Sequence, residues 1–571
     1  MTMVLRGVGA SAGIGLGTAV CVREQDLDYS HVAFSGPERE KARLKAAMET
    51  FCARTQAMAD DVKARVGEKE SEILSGQIVM LGDPFLLSQM EEQIDGGACA
   101  EAALDAVCRS FIDMFSGIDD EMMRQRATDI EDIRTRMLGI LLGSGNVDLS
   151  ELPEHTVLVV HDLTPSMTVG LRRENVEAIL TEVGGKTSHS AILARALEVP
   201  AVLGIPDLLS ETRDGMLVIV DGGKGYAMLD PNSGIQEEYL ERRRKQDREK
   251  LLLQLYRGRD TVNADGRRVD LYANIGGVAD AAAAAAAGAE GIGLFRTEFL
   301  FMDRTALPTE EEQYEAYRTV AGQMAGREVI IRTLDVGGDK GIPYLEMEKE
   351  ENPFLGYRAI RYCLGRPELY KVQLRALLRA GAEHRNIKIM LPLVSGVQEL
   401  RAARALLEEC KAELTAEGRE FDGRIPLGVM IETPAAALVA DLLAREADFF
   451  SIGTNDLTQY TVAADRGNAR VEGLYSPFHP AVLRSIRSVI AAGKAAGIPV
   501  GMCGEAAADP AMIPLLLAFG LDEFSVSPSA VLAVRREIGR WSDAAAARTA
   551  DAAMVLDDSR AVEEYLRSAA P

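Results

Sequence analysis

The 571-residue sequence predicts an α/β multidomain protein: an α/β domain carrying an inserted helical bundle, followed by a TIM (β/α)8 barrel. Three observations predict it. The chain is too long for one ordinary domain and calls for about three units. Residues 23–142 are charged and helix-periodic, and they lie between two stretches that read as strands and glycine turns. From about residue 261 onward, eight apolar runs alternate with helix-like segments, the signature of a β/α barrel.

The elements follow in order. Residues 1–20 mix small and apolar residues with many glycines, as tight strands and turns do. In Arg39–Val66 and Ala98–Met114, apolar residues recur at three- and four-residue intervals, which predicts amphipathic helices. Gly67, Gly82-Asp83-Pro84, Gly96-Gly97 and Gly117 separate them. After Gly143-Ser144-Gly145-Asn146 the texture changes, and Thr156–Val160, Ala178–Leu180 and Met216–Val220 read as short buried strands. The opening strands join this unit, which makes the helical bundle an insertion. Glu237–Leu255 is densely charged and predicts a solvated linker helix. Barrel strands are predicted near Val269, Gly291, Glu328, Asn386, Pro426, Asp448, Pro499 and Glu523. The alanine run Ala281–Ala287 is one of the intervening helices, stopped by Gly288. The predicted boundaries are 1–22 with 143–232 for the α/β domain, 23–142 for the bundle, 233–260 for the linker helix and 261–571 for the barrel.

Composition narrows the function classes. The chain is 47% hydrophobic and 26% charged, a globular profile. No apolar run reaches the length of a membrane span, and Met1–Val20 does not read as a signal peptide. Seven cysteines without a Cys-x-x-Cys pair argue against a disulfide framework and a structural zinc site, and point to the reducing cytoplasm. A net charge of −24 disfavours nucleic acid as a partner and favours basic proteins.

The chemistry concentrates in two places. In Gly184–Arg195, His189 stands among hydroxyl residues at the start of a helical run, with Thr187 or Ser188 as the cap. A helix start offers free N–H groups and a partial positive charge, which suits a histidine that carries a phosphoryl group. The neighbouring Gly184-Gly185-Lys186-Thr187 resembles the end of a P-loop, but Leu180 stands where its first glycine belongs. In the barrel half, strand after strand ends in a reactive residue: Arg296; Arg332, followed by Asp335 and Lys340; Glu432; Asn455 and Asp456, followed by Arg466; and Cys503. Clustered arginines imply a compact, multiply charged anion. Glu432 and Asp456 suit a shared Mg2+. Cys503, between Gly501 and Gly504, suits a proton donor, since a thiol with an ordinary pKa near 8.5 is mostly protonated at neutral pH.

Together these residues resemble the phosphoenolpyruvate–protein phosphotransferases, enzyme I of the bacterial sugar phosphotransferase system. The resemblance covers nearly the whole chain. It is strongest in Gly184–Arg195, Gly291–Phe301, Arg332–Lys340, Glu351–Ile360, Val429–Ala436, Phe450–Asn468 and Gly501–Asp509. It implies a swivelling phosphohistidine domain, an inserted helical domain that binds the carrier protein HPr, and a TIM barrel through which the chain forms a homodimer. It implies that His189 is the phosphorylated nucleophile, with Thr168 orienting its ring. Arg296, Arg332, Asn455, Asp456 and Arg466 would bind phosphoenolpyruvate, Glu432 and Asp456 the Mg2+ ion, and Cys503 would protonate the pyruvate enolate, with Lys340 and Arg358 assisting. Pyruvate phosphate dikinase and phosphoenolpyruvate synthase are alternatives, but residues 23–142 are too short and too helical for their ATP-binding domain. A non-catalytic regulatory homologue would have no need of His189, Cys503, Glu432 and Asp456 together. For carrier docking the sequence points to Glu68–Phe85, where Glu68, Glu70, Glu72 and Asp83 surround exposed-looking Met80, Leu81 and Phe85.

Overall fold

The computed structural model describes residues 2–23, 27–65, 68–117, 121–143, 149, 152–163, 167, 171–185, 188–302, 304, 306–324, 326–337, 342–345, 347–348, 350–468 and 470–569. The chain forms two compact units, Met1–Arg248 and Glu249–Pro571.

The first unit contains an eight-stranded mixed sheet. Three strands precede the helical insertion: β1 (Met3–Arg6), β2 (Val8–Ser11) and β3 (Ile14–Val22). Five follow it: β4 (Thr156–Val160), β5 (Val176–Thr181), β6 (Ala201–Leu203), β7 (Leu217–Asp221) and β8 (Tyr226–Leu229). Their order is β1-β8-β7-β3-β4-β5-β6-β2, so β3 lies inside the sheet, parallel to β4 and antiparallel to β7. Every residue of β4 is buried, because both faces of the sheet are covered. Alternation along the strand sends Leu158 and Val160 to one core and Val157 and Val159 to the other.

The insertion comprises α1 (Pro37–Arg65), α2 (Glu68–Leu81), α3 (Pro84–Asp95), α4 (Ala100–Ser116) and α5 (Glu121–Leu142). They close around Leu44, Phe51, Leu81, Met90, Leu104, Ile133 and Met137. Asp83 caps α3 by accepting from Phe85 N and Leu86 N, and Pro84 takes the first helical position, where its missing N–H costs nothing. One expectation needs correcting here. Leu81 is fully buried and Met80 is half-buried against the same core, while Phe85 is 62% exposed. The last turn of α2 directs Leu81 inward, so the apolar surface of this corner is Phe85 together with Val79, which is 75% exposed. The side chains of Glu68, Glu70 and Glu72 lie outside the described atoms.

Three further helices follow among the described residues of this part of the chain: α6 (His189–Ala196), which packs Ala191, Leu193 and Ala194 on the sheet, the single turn Leu208–Glu211, and α7 (Ser233–Gln254), whose last residues belong to the second unit. In α7 only Tyr239 is buried, the behaviour of a solvated charged helix.

The second unit is a closed barrel of eight parallel strands: β9 (Asp270–Ile275), β10 (Ile292–Arg296), β11 (Val329–Arg332), β12 (Ile387–Leu391), β13 (Leu427–Ile431), β14 (Phe450–Ile452), β15 (Val500–Met502) and β16 (Glu523–Val526). β16 pairs with β9 and completes the circle. Leu294, Ile330, Met390, Met430, Phe449 and Cys503 share one buried cluster, so the barrel is a packed core rather than a pore. The alanine helix Val278–Ala286 ends at Gly288, whose φ of +80° only glycine adopts at little cost.

Candidate active site

The C-terminal ends of the barrel strands surround a cavity of about 600 Å3, and every sequence-predicted residue of the barrel half except Lys340, which lies outside the described residues, meets there. Arg296 is the last residue of β10 and Arg332 the last of β11. Glu432 follows β13 directly, Asn455 and Asp456 open the helix after β14, and Cys503 follows β15. Arg466 reaches the same cavity from the following loop. The strands are short and apolar, so Arg296, Arg332, Glu432, Asn455 and Cys503 sit at or within three residues of a buried strand end.

The arginines are not equivalent. Arg332 is buried and held by Glu298 and by Asp335, the latter at 2.9 Å. Burial opposes its charge, but the negative charges of Glu298, Asp335 and Glu432 outweigh that and keep it ionised. Asp335 also accepts from Arg358 at 2.8 Å. Removing one partner from such a buried network typically costs about 3–5 kcal/mol, because a charge is left uncompensated. Arg466 is loosely paired with Asp456 at 3.7 Å. Arg296 is exposed to the cavity and has no ion-pair partner among the described residues. The wall therefore presents two braced cations, Arg332 and Arg358, and two, Arg296 and Arg466, that are available to an anion.

Asn455 is oriented by its neighbours. Its Oδ1 accepts from Glu505 N at 3.1 Å, and its carbonyl accepts from Tyr475 OH at 3.2 Å. With Oδ1 engaged, the amide NH2 is the group left to donate to a ligand. Glu432 is buried, and Leu393 N donates to its Oε1. Burial, and then repulsion from Asp456 and Asp335, push its carboxyl well above the usual range. Converging carboxylates with that mutual repulsion suit a cation between them. Among the described residues no three His, Cys, Asp or Glu side chains could hold a metal by themselves. Two carboxylates completed by substrate oxygens and water is the coordination habit of Mg2+, so the residues fit that ion.

Cys503 is 4% exposed, and Asn274 Nδ2 donates to its carbonyl at 3.0 Å. Burial pushes its thiol up to about 11, above the ordinary value assumed from sequence. Glycine is required beside it, since a Cβ on Gly504 would sit 1.7 Å from Thr454 Oγ1 and 2.6 Å from Thr454 N. This close approach brings the loop after β15 onto the loop after β14.

His189 is in the first unit. Ser188 caps its helix: Ser188 Oγ accepts from Ala191 N at 3.3 Å and donates to Gly185 O at 2.9 Å. Ser190 Oγ donates to Asp162 at 3.0 Å and ties the helix start to the strand-end loop. The His189 side chain, Thr168, Lys186, Thr187 and Lys340 lie outside the described residues. Sequence reading missed Glu298 as the partner of Arg332, although it stands two residues beyond Arg296.

Comparison with known proteins agrees over the whole length. Three family models match in succession: PEP-utilising enzyme, N-terminal, at residues 6–126; PEP-utilising enzyme, mobile domain, at 152–225; and PEP-utilising enzyme, PEP-binding domain, at 252–542. The phosphoenolpyruvate-protein phosphotransferase of Priestia megaterium is 43% identical over 569 residues, covering 100% of this chain and 99% of that protein. That of Geobacillus stearothermophilus is 44% identical over 564 residues, covering 99% and 97%.

The chain belongs to the phosphoenolpyruvate-protein phosphotransferase family.

The phosphotransferase of Bacillus subtilis (strain 168) is 44% identical over 94% of both chains. Family membership covers the helical insertion as well as the barrel, since the N-terminal match runs from residue 6 through most of the bundle. No helix of the described residues is long and apolar enough to cross a membrane.

Proposed function

We propose that this enzyme transfers the phosphoryl group of phosphoenolpyruvate to its own His189 and then to a histidine of the carrier protein HPr, releasing pyruvate as the first step of phosphotransferase-system sugar uptake in the cytoplasm. The observation that carries this reading is the single cavity in which Arg296, Arg332, Asn455, Glu432, Asp456, Arg466 and Cys503 converge. Arg296, Arg466 and the Asn455 amide bind the phosphate and carboxylate oxygens of the substrate, with Arg332 as the braced floor. The His189 nitrogen attacks phosphorus, the P–O bond to the enol oxygen breaks, and the enolate takes a proton from Cys503 Sγ at its terminal carbon. Water then restores the thiol. Glu432 and Asp456 would hold Mg2+, which when bound neutralises charge on the phosphoryl oxygens. The barrel also provides the surface for homodimer formation.

Incubation with labelled phosphoenolpyruvate tests this. Acid-labile label is expected on the wild type in Mg2+, none in excess chelator, and none in Glu432→Gln/Asp456→Asn, whose melting temperature stays near that of the wild type. Undiminished labelling in chelator would sink the metal assignment.

The corner formed by Val79 and Phe85 is the carrier-docking surface. It is an exposed apolar pair on an acidic chain, suited to a partner that is basic around its own histidine. Phe85→Asp is expected to slow transfer to HPr at least tenfold, roughly 1.4 kcal/mol, as loss of a central apolar anchor does. Labelling of the chain itself should be unchanged. Equal HPr transfer rates would place docking elsewhere.

A further inference from the structure

The cavity rests on a buried polar network that no motif marks, and its centre is Gln373. This residue lies on the helix Pro367–His384, is 1% exposed, and does not line the cavity. Its Nε2 donates to Thr297 Oγ1 at 3.2 Å and to Tyr317 OH at 3.1 Å, and its Oε1 accepts from Leu334 N at 2.9 Å. Thr297 Oγ1 in turn donates to Arg332 O at 2.8 Å. Tyr317 OH donates to Gln313 Oε1 at 3.1 Å, and Gln313 Nε2 donates to Pro308 O at 3.1 Å. Thr297, Tyr317 and Gln313 are all buried.

The directions in this network are mutually consistent. Both hydroxyls give one proton and receive one, both amide hydrogens of Gln373 are used, and its oxygen meets a backbone donor. A flipped amide would set NH2 against the Leu334 N–H, so only one orientation satisfies every member. The sequence positions matter more than the count of bonds. Thr297 follows Arg296 and precedes Glu298. The Arg332 carbonyl and Leu334 N bracket the stretch that leads to Asp335. One amide thus links the turn that carries Arg296 and Glu298 to the turn that carries Arg332 and Asp335.

We infer that Gln373 and Thr297 are positioning residues for phosphoenolpyruvate binding: together they fix the spacing of Arg296 and Arg332 without touching the substrate. This rests on the reading of the cavity as the phosphoenolpyruvate site. Displacing a substrate-binding group by an ångström costs up to about a hundredfold, so a loosened link raises KM and lowers kcat/KM even when the fold survives.

The test compares Thr297→Val, which keeps the shape and removes the hydroxyl, with Thr297→Ser, which keeps the hydroxyl. Gln373→Met and the double variant Thr297→Val/Gln373→Met complete a cycle. Thr297→Val is expected to raise KM for phosphoenolpyruvate roughly tenfold or more, and Thr297→Ser to return it towards the wild-type value. The double variant should fall short of the product of the two single effects, because the bond between Thr297 and Gln373 is lost in both. Thr297→Val with wild-type KM, or effects of the two single variants that simply multiply, would overturn the proposal while leaving the site assignment intact. A wild-type protein that neither binds nor consumes phosphoenolpyruvate would instead overturn the site reading, and this proposal with it. If Gln373→Met fails to fold, the Thr297→Val and Thr297→Ser pair still decides.

Discussion

With His189 replaced by alanine, the chain is expected to take no label from phosphoenolpyruvate, while the barrel cavity still binds the ligand. Neutral imidazole is the side chain best suited to accept a phosphoryl group near pH 7, because its ordinary pKa lies close by and its free nitrogen is nucleophilic. The setting favours the product as well. His189 opens a helix capped by Ser188, and the unpaired N–H groups of a helix start stabilise an added dianion. Loss of a covalent nucleophile commonly removes about six orders of magnitude of rate, so the expected result is absence rather than attenuation. Calorimetric binding of phosphoenolpyruvate to the variant should match the wild type within a factor of two or so, since none of the cavity side chains is altered. Label retained in His189→Ala would reassign the nucleophile.

Cys503→Ala is expected to slow pyruvate formation by about 10²–10⁴-fold, the usual worth of one general acid. Phosphoenolpyruvate affinity should change far less, because the arginines stay in place. A second signature separates a proton donor from a packing thiol. In deuterated water the wild type should deliver deuterium to one face of the pyruvate methyl carbon, and the variant should lose that preference. The pH dependence has a definite sign. Burial raises the thiol to about 11, so below that value it stays protonated and able to donate. Between pH 7 and 10 this group should cause no decline in kcat, and loss begins only as pH rises through about 11. Wild-type turnover in Cys503→Ala would leave the thiol as packing.

Much of the barrel site was legible because its strands are sequence-local signals. Val329-Ile330-Ile331 is a continuous apolar run ending in Arg332, and Val429-Met430-Ile431 ends in Glu432, the pattern of strands buried on both faces. Even the three-residue strand Phe450–Ile452 shows as an apolar run beginning near Asp448. Three things escaped the sequence. The burial of Leu81 depends on the rotation of a helix end, which periodicity fixes only to within a residue or two. The pairing of Arg332 with Glu298 depends on which neighbouring strand end faces it. Gln373 looks like any polar residue on an amphipathic helix, and only the barrel wall around it turns its amide into a junction.

The order of strands in the first sheet carries a consequence for synthesis. β3 pairs with β4 and β7, and β1 pairs with β8, yet the helical insertion separates these partners along the chain. The first three strands leave the ribosome more than a hundred residues before any of their neighbours. At typical elongation rates that interval is on the order of ten seconds, long compared with the folding of a helical bundle. The bundle can therefore be complete while Ile14–Val22 still waits with both edges unpaired, a strand open to pairing with other nascent chains. A strand at the centre of the finished sheet thus waits for the whole insertion before either of its neighbours exists.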